Sequence, residues 1–256
     1  MPQLQRREML FGVAGSAFAQ TILGKAGIAF AADQIKPGPS SALIVVDVQN
    51  CFLPGGSLAV KDGDKVIPVI NKIAKSFENV VMTQDWHTVH HVSFASSHEG
   101  KKPFEMIKLA YGNQVLWPDH CVQGTEGAAI ATDINIPQAG LIIRKGFHND
   151  VDSYSAFLEA DKETKTGLAS YLKERRIDTV FVTGLATDFC VAWTAIDARH
   201  AGLNVYVVDD ACRGIDINGS IAKAWDDMTA AGVKQALRNT GKSIYLKIGA
   251  VSNIQV

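Results

Sequence analysis

Cysteine is scarce in this chain, and its placement outlines no scaffold. Cys51, Cys121, Cys190 and Cys212 are scattered over 256 residues, without the dense, regular spacing of a disulfide framework. At 47% hydrophobic residues, the chain can bury a core that needs no covalent staple, so free thiols are expected. Charge of either sign is not in excess. The formal net charge is −1 and no basic stripe is visible, which argues against nucleic acid as a partner. Internal repeats, low-complexity blocks and long charge runs are missing too. So is an uninterrupted apolar run of the roughly 20 residues that a membrane span needs.

The nearest approach to such a run lies at the start. Arg6 and Arg7 precede Glu8 and a weakly apolar stretch from Met9 to about Ile28, broken by Gly12, Gly15, Gly24, Lys25 and Gly27. Ala29-Phe30-Ala31-Ala32 follows. A basic segment, an apolar segment and an A-x-A site predict a cleavable signal peptide over residues 1–31, and the paired arginines point to the twin-arginine route. The remaining residues, 32–256, are expected to form one domain in the periplasm, without a stable membrane span.

Ser41-Ala-Leu-Ile-Val-Val-Asp47 is a continuous apolar run ending at an acid, which predicts a buried parallel strand. Further strands are expected at Asn79–Thr83, Leu141–Arg144, Thr179–Thr183 and Asn204–Val208, with a sixth over Gly232–Leu237. Helical spacing marks Val66–Phe77, Thr166–Arg175, Cys190–His200 and about Ser220–Ala231, and Gly202 lies where a C-terminal cap belongs. Residues 84–138 show little periodicity, Asp209–Gly214 follows the strand at Asn204–Val208, and the tail after Arg238 yields no assignment. This alternation implies an α/β fold, a doubly wound, mostly parallel sheet with helices on both faces. Ligands of such sheets bind beyond the carboxyl ends of the strands. Asp47, the pair Asp85 and His87, Lys145, and Cys190 each fall just past a different strand.

Those residues suit one chemistry. Cys190, at a strand-to-helix junction, is placed to be a nucleophile, with helix N-terminal amides favouring its thiolate and forming an oxyanion hole. Asp47 is a candidate proton acceptor and donor. Lys145 is a candidate counter-ion to both, an electrostatic part that makes its loss less damaging than loss of Cys190 or Asp47. Asp85-x-His87 is a compact ligand pair, and His120 in Trp117-Pro-Asp-His-Cys121 would complete a three-residue metal site open to water or substrate. His90, His91 and His98 are further candidates in the same stretch.

At this point the chain resembles the nicotinamidases, also called pyrazinamidases, of the isochorismatase-like cysteine hydrolase superfamily. The likeness rests on Leu43-Ile-Val-Val-Asp-Val-Gln-Asn-Cys-Phe52, Gly55-Gly-Ser-Leu-Ala-Val60, Thr83-Gln-Asp-Trp-His87, His91-Val-Ser-Phe-Ala95, Trp117-Pro-Asp-His-Cys-Val122, Lys145-Gly146, Asp152-Ser-Tyr-Ser-Ala-Phe157, Gly184-Leu-Ala-Thr-Asp-Phe-Cys-Val191 and Asp209-Asp-Ala-Cys-Arg-Gly214. These run in family order over about residues 41 to 237. The resemblance implies an isochorismatase-like hydrolase fold and a catalytic triad of Asp47, Lys145 and Cys190. It implies a divalent metal on Asp85, His87 and His120, with His91 at a position that ligates in some members and only borders the site in others. It further implies a cis peptide at Leu185-Ala186, an oxyanion hole from the amides of Ala186 and Cys190, and a substrate pocket walled by Phe52, Trp117, Leu185 and Tyr154. Zinc, iron or manganese would suit the ligands. The activity implied is hydrolysis of a small aromatic carboxamide, nicotinamide and also pyrazinamide, to the acid and ammonia through a thioester. Where the family has an acid after Gln-Asn, this chain has Cys51, four residues from Asp47 and expected near enough to Cys190 to oxidise with it.

Two other functions compete. One is an amidohydrolase of the same superfamily acting on a carbamoyl or ureido compound, whose relatives need no metal and lack the Asp85, His87 and His120 set. The other is a periplasmic binding protein that has lost catalysis, which would have no reason to keep Lys145 and Cys190. A homo-oligomer is compatible with the sequence, which carries no sign for or against it. The export reading has a direct check: changing Arg6 and Arg7 together to Lys should hold full-length precursor in the cytoplasm, while the wild type yields a periplasmic protein starting near Ala32 or Asp33. Recovery of periplasmic protein that still carries residues 1–31 would contradict cleavage.

Overall fold

The apolar run that follows the expected signal segment becomes the middle of a sheet. The structure, a computed structural model, describes residues 34–238 and 244–246, all within the unit Ala32–Val256. The signal segment predicted at residues 1–31 lies outside the described residues. After a two-residue strand β1 (Gln34–Ile35), strand β2 (Ser41–Val46) is buried at every position, as expected of a parallel strand covered on both faces. Helix α1 (Val66–Ala74) buries Val66, Ile67, Ile70, Ile73 and Ala74 on one stripe, the 3.6-residue period written directly into its sequence. Strand β3 (Asn79–Asp85) is followed by a hairpin of β4 (Met106–Leu109) and β5 (Gly112–Val115), then by β6 (Ala139–Lys145). Next come α2 (Leu168–Glu174) and β7 (Thr179–Leu185). A π-helical turn over Thr187–Val191 leads into α3 (Ala192–His200). The described chain ends with β8 (Asn204–Arg213), α4 (Ser220–Ala230), β9 (Lys234–Arg238) and β10 (Ile244–Leu246).

The main sheet has the order β1-β10-β9-β8-β7-β2-β3-β6. From β9 to β6 every pairing is parallel, and β10 and β1 extend the edge antiparallel. Alternate residues of β2 feed two cores. Leu43 and Val45 pack with Val66, Ile70 and Ile73 of α1, while Ala42, Ile44 and Val46 pack with Leu168, Leu172, Ala195, Ala198 and Met228 from α2, α3 and α4. Helices therefore cover both faces, as the strand–helix alternation predicts. After β2 the chain builds outward through β3 and β6, then crosses to the other side for β7, β8 and β9. The reversal lies between β2 and β7, and such a switch point opens a crevice at the carboxyl ends of the strands. Gly184 makes the closeness of those strands possible: its φ is +111°, and a Cβ there would stand 2.0 Å from the Val46 carbonyl oxygen.

Three expectations need correction. The stretch 84–138 contains the β4–β5 hairpin, whose exposure alternates weakly and so leaves no clear two-residue period. The strand expected to end at Val208 runs on as β8 to Arg213 after a register shift, with Cys212 opposite Gly184 and Arg213 opposite Leu185. Free thiols hold only for Cys190 and Cys212. Cys51 and Cys121 form a disulfide across 70 residues of sequence, with Cα atoms 5.8 Å apart, so Cys51 does not pair with Cys190. Spacing carries no trace of this bond because it joins two irregular segments that only the fold brings together. Among the described residues, no helix is long and apolar enough to cross a membrane.

Candidate active site

The acid ending the central strand is held in an unusual backbone conformation. Asp47 has φ +47°, a left-handed state that Asp tolerates better than most side chains. Thr83, from the neighbouring strand β3, locks it: the Thr83 hydroxyl donates to Asp47 Oδ1 at 2.5 Å and accepts from the Asp47 amide at 3.1 Å. The other carboxylate oxygen, Oδ2, lies 2.8 Å from Lys145 Nζ at the end of β6. Both side chains are fully buried.

Lys145 has more partners than its sequence context suggested. Its ammonium donates to Asp85 Oδ1, to the Ser153 carbonyl at 2.9 Å and to Cys190 Sγ at 3.3 Å. Asp47 Oδ2 and Cys190 Sγ therefore lie against the same ammonium, which sets the thiol beside the carboxylate that can accept its proton. Ligand atoms of Asp47, Asp85 and Cys190 lie within 4.8 Å of one another.

The charge states follow from burial and neighbours. Burial alone would lower the Lys145 pKa, but Asp47 and Asp85 outweigh it and hold the ammonium well above the ordinary lysine value. Burial pushes the Cys190 thiol well up, Lys145 opposing and Asp47 adding to the rise. Asp47 is also raised by burial, against the pull of Lys145. The resting pair is a protonated thiol beside a carboxylate able to take its proton.

Asp85 and His87 lie at the end of β3, and His120 comes from the irregular segment after β5. His87 Nδ1 donates to the Gly146 carbonyl at 2.9 Å, and His120 Nδ1 donates to the Pro118 carbonyl at 2.9 Å. Each bond selects the tautomer whose Nε2 carries a lone pair. Those two nitrogens face Asp85 Oδ2, at 3.5 Å from His87 and 3.8 Å from His120. Two imidazole lone pairs and a carboxylate oxygen, all buried and converging, are a donor set that fits a divalent cation. Gly146 is part of the fit, since a Cβ there would stand 2.6 Å from the His87 ring.

His91 also neighbours His87 and Asp152, but its own nitrogens are engaged. Nε2 donates to the carbonyls of His148 and Val151 at 2.9 and 3.2 Å, and Nδ1 accepts from Ser93 Oγ at 2.8 Å. Burial, then the nearby His87, pushes its pKa down to about 4. His91 therefore borders the converging donor set and presents no free lone pair. His98 donates to the Val92 carbonyl at 2.8 Å, and His90 likewise stands outside the converging set.

Cys190, Asp85, His87 and His120 open into one cavity, walled by Phe52, Trp117, Tyr154 and Phe189. Trp117 packs edge-on to Phe189 at 4.8 Å, and its Nε1 donates to the Tyr154 hydroxyl at 3.0 Å. Three of the four predicted wall residues are therefore on the wall. Leu185 is not: it is fully buried in the core and packs against Gly63. Ala186, one residue on, lines the cavity instead. The peptide Leu185–Ala186 is cis, and Cys190 sits in the first turn of its helix, where amides lack helical acceptors.

Sequence reading missed several supporting residues. Gln49 donates to the Asp85 carbonyl and accepts from the Asp85 amide, both at 2.8 Å, fixing the backbone of Asp85. Gln114 donates to Asp152 at 2.7 Å and to Tyr154 at 3.0 Å. Asp188 accepts from the amides of Ile215 and Asp216 and so draws Ile215 to the cavity. The available signal was a polar residue just beyond a buried apolar strand, as with Gln49 after β2.

Comparison with known proteins places the chain among relatives. A model of the isochorismatase domain matches residues 41–239. A nicotinamidase of Acinetobacter baylyi is 60% identical over 202 residues, covering 79% of this chain and 94% of its own. Among solved structures, a nicotinamidase/pyrazinamidase of Acinetobacter baumanii superposes with a TM-score of 0.77 at 62% identity, over 78% of this chain and 97% of its own. The pyrazinamidase of Pyrococcus horikoshii in complex with zinc reaches a TM-score of 0.65 at 35% identity, over 78% of this chain and 100% of its own.

With four partners, Lys145 is more than a distant counter-charge. Lys145→Ala leaves the Asp47 and Asp85 carboxylates buried without a cation, and should destabilise the fold by about 3–5 kcal/mol, the cost of breaking a buried ion pair. Denaturant unfolding of the variant beside wild type measures it; a loss below about 1 kcal/mol, the scale of exposed pairs, would contradict the assignment.

Proposed function

Because this chain belongs to the isochorismatase family and groups there with the nicotinamidases, we propose that it hydrolyses nicotinamide, and pyrazinamide as a second substrate, to the acid and ammonia with Cys190 as nucleophile. The observation that carries this reading is the meeting of a thiol, its proton acceptor and a metal-fitting donor set in one aromatic-walled cavity. A carbamoyl or ureido hydrolase of the superfamily would leave Asp85, His87 and His120 without a purpose, and a binding protein would have no use for a buried thiol paired with an acid.

Each chain residue has a defined part. Asp85, His87 and His120 would hold the ion, and zinc suits two imidazoles and a carboxylate. When bound, the ion supplies a Lewis-acid site for a ring-nitrogen lone pair. Phe52 and Trp117 flank the flat ring and bring its carboxamide beside Cys190, so that recognition becomes proximity. Asp47 takes the thiol proton as the sulfur attacks the carbonyl carbon. The amides of Ala186 and Cys190 receive the developing oxyanion. Asp47 returns the proton to the leaving nitrogen, the C–N bond breaks, and ammonia departs from a thioester on Cys190. Water then loses a proton to Asp47 and attacks the thioester carbon. The C–S bond breaks, and the acid leaves as the thiol regains its proton. Lys145 keeps Asp47 and Asp85 charged and in register throughout.

We further propose that residues 1–31 are a twin-arginine signal and that residues 32–256 are the periplasmic enzyme. The Cys51–Cys121 bond supports this location independently, since disulfides persist in oxidising compartments and are rare in the cytosol.

Ammonia release from the purified 32–256 protein over a panel of pyridine and pyrazine carboxamides tests the activity. Chelation should abolish turnover and added divalent ion should restore it. Cys190→Ala and Asp47→Asn should each lower kcat by about a thousandfold or more, and the double variant should be no worse than either, because the two act as a unit. A Cys190→Ala enzyme that keeps substantial amidase activity would overturn covalent catalysis.

A further inference from the structure

The metal ligands are not equally well anchored. Asp85 and His87 extend a central strand whose backbone is fixed by Gln49 on one side and by β6 on the other. His120 lies between Leu116 and Gln123, in a segment that belongs to no helix and no named strand. That segment is tied to its surroundings by isolated bridges, Phe94 to Trp117 and His87 to Val122, and not by a continuous ladder. At the second bridge the Cys121 carbonyl accepts from the His87 amide at 3.1 Å, and the Gln123 amide donates to the His87 carbonyl at 2.9 Å. Cys121, the residue after the ligand, carries φ +46°, a left-handed conformation that a non-glycine residue keeps only when its surroundings impose it.

The partner cysteine sits in the opposite kind of environment. Cys51 lies in a tight turn over Asn50–Phe52. The Asn50 amide donates to the Ala129 carbonyl at 3.0 Å, and the Asn50 side chain donates to the Glu126 carbonyl at 3.0 Å. The Cys51 carbonyl accepts from the Leu58 amide at 3.0 Å. The turn is braced, and its next residue, Phe52, sets its ring 5.5 Å from that of His120. The disulfide joins this braced turn to the position adjoining the ligand that an irregular segment carries. Both cysteines are buried, at 1% and 2% exposure.

We propose that the Cys51–Cys121 disulfide is a positioning element of the metal site, a permanent tether that holds His120 in ligating position against the Phe52 turn. This rests on the reading of Asp85, His87 and His120 as metal ligands. Without the bond, the His120 segment keeps its hydrogen bonds but gains freedom to swing. The third ligand must then be ordered at the moment of binding, which weakens retention of the ion. Loss of outer support for a ligand typically costs about 10–100-fold in metal affinity. In chemical terms, a dithiol reductant supplies two electrons and two protons, the bond opens to two thiols, and the reductant closes into its own disulfide. Burial of both cysteines keeps this reaction slow in the folded protein, so the bond acts as a fixed strut and not as a switch.

Zinc affinity, measured by competition with a chromogenic chelator and without substrate, tests the idea on the 32–256 protein. Cys51→Ser and the double variant Cys51→Ser/Cys121→Ser should bind zinc about 10–100-fold more weakly than wild type, to similar extents. Cys212→Ser removes a buried thiol elsewhere and should bind as wild type does. A purely structural disulfide would lower the melting temperature and leave zinc affinity within twofold of wild type, and that result overturns the proposal. If the serine variants do not fold, wild-type protein reduced under native conditions, verified by intact mass, takes their place. Reduced protein that releases zinc no faster than oxidised protein would equally overturn it. Wild-type protein that binds no zinc removes the metal reading and this inference with it. Wild-type protein that binds zinc but releases no ammonia from amides overturns only the proposed activity.

Discussion

The ammonium of Lys145 is the group on which the rest of the site depends. Two buried carboxylates, Asp47 and Asp85, stand within 4.8 Å reach of one thiol, an arrangement that burial alone would drive toward protonation. A single buried cation between them keeps both usable. It reaches them because β6 lies beside β3, and β3 beside β2, in one parallel register, with Asp85 directly opposite Lys145. Contact with both acids and with the thiol lets this one ammonium set Cys190 beside Asp47. The same residue thus joins the proton-transfer half of the site to the metal-ligand half.

Much of this was legible in the sequence because parallel strands advertise themselves. A buried strand such as Ser41–Val46 is apolar throughout, so the first polar residue after it marks the edge where ligands bind. Asp47 follows that rule directly. Asp85, Lys145 and Cys190 stand out because each lies just past a different expected strand, and the π-turn at Thr187–Val191 puts Cys190 where a strand-to-helix junction is expected. Motif likeness added what spacing could not, the cis peptide at Leu185–Ala186. The residues that escaped did so for physical reasons. Leu185 is expected on the wall, but it is taken up by the core beside Gly63, and Ala186 lines the cavity. The disulfide joins two irregular segments, and irregular segments leave no periodic trace. Gln49, Gln114 and Asp188 act by bonding backbone or side chains far away in sequence, partnerships that only the fold creates.

The aromatic walls and the metal ligands are supported by the same loops, which matters for how the cavity keeps its shape. Trp117 and His120 share one irregular segment. Phe52 and Cys51 share one turn. Gln114, on the β4–β5 hairpin, holds Tyr154, and Tyr154 holds Trp117. A small cavity whose walls are cross-braced in this way is pre-formed for a flat ring, and loses little freedom when the ring enters.

The central claim is that the thiol of Cys190 forms a covalent bond with the acyl group of the substrate. Acid-quench mass spectrometry during turnover of nicotinamide measures it most directly. The account predicts an acyl adduct that maps to the Cys190 peptide and is absent when Cys190 is replaced by Ala. Steady turnover with no adduct on Cys190 at any quench time, together with undiminished turnover in the Ala variant, would contradict it.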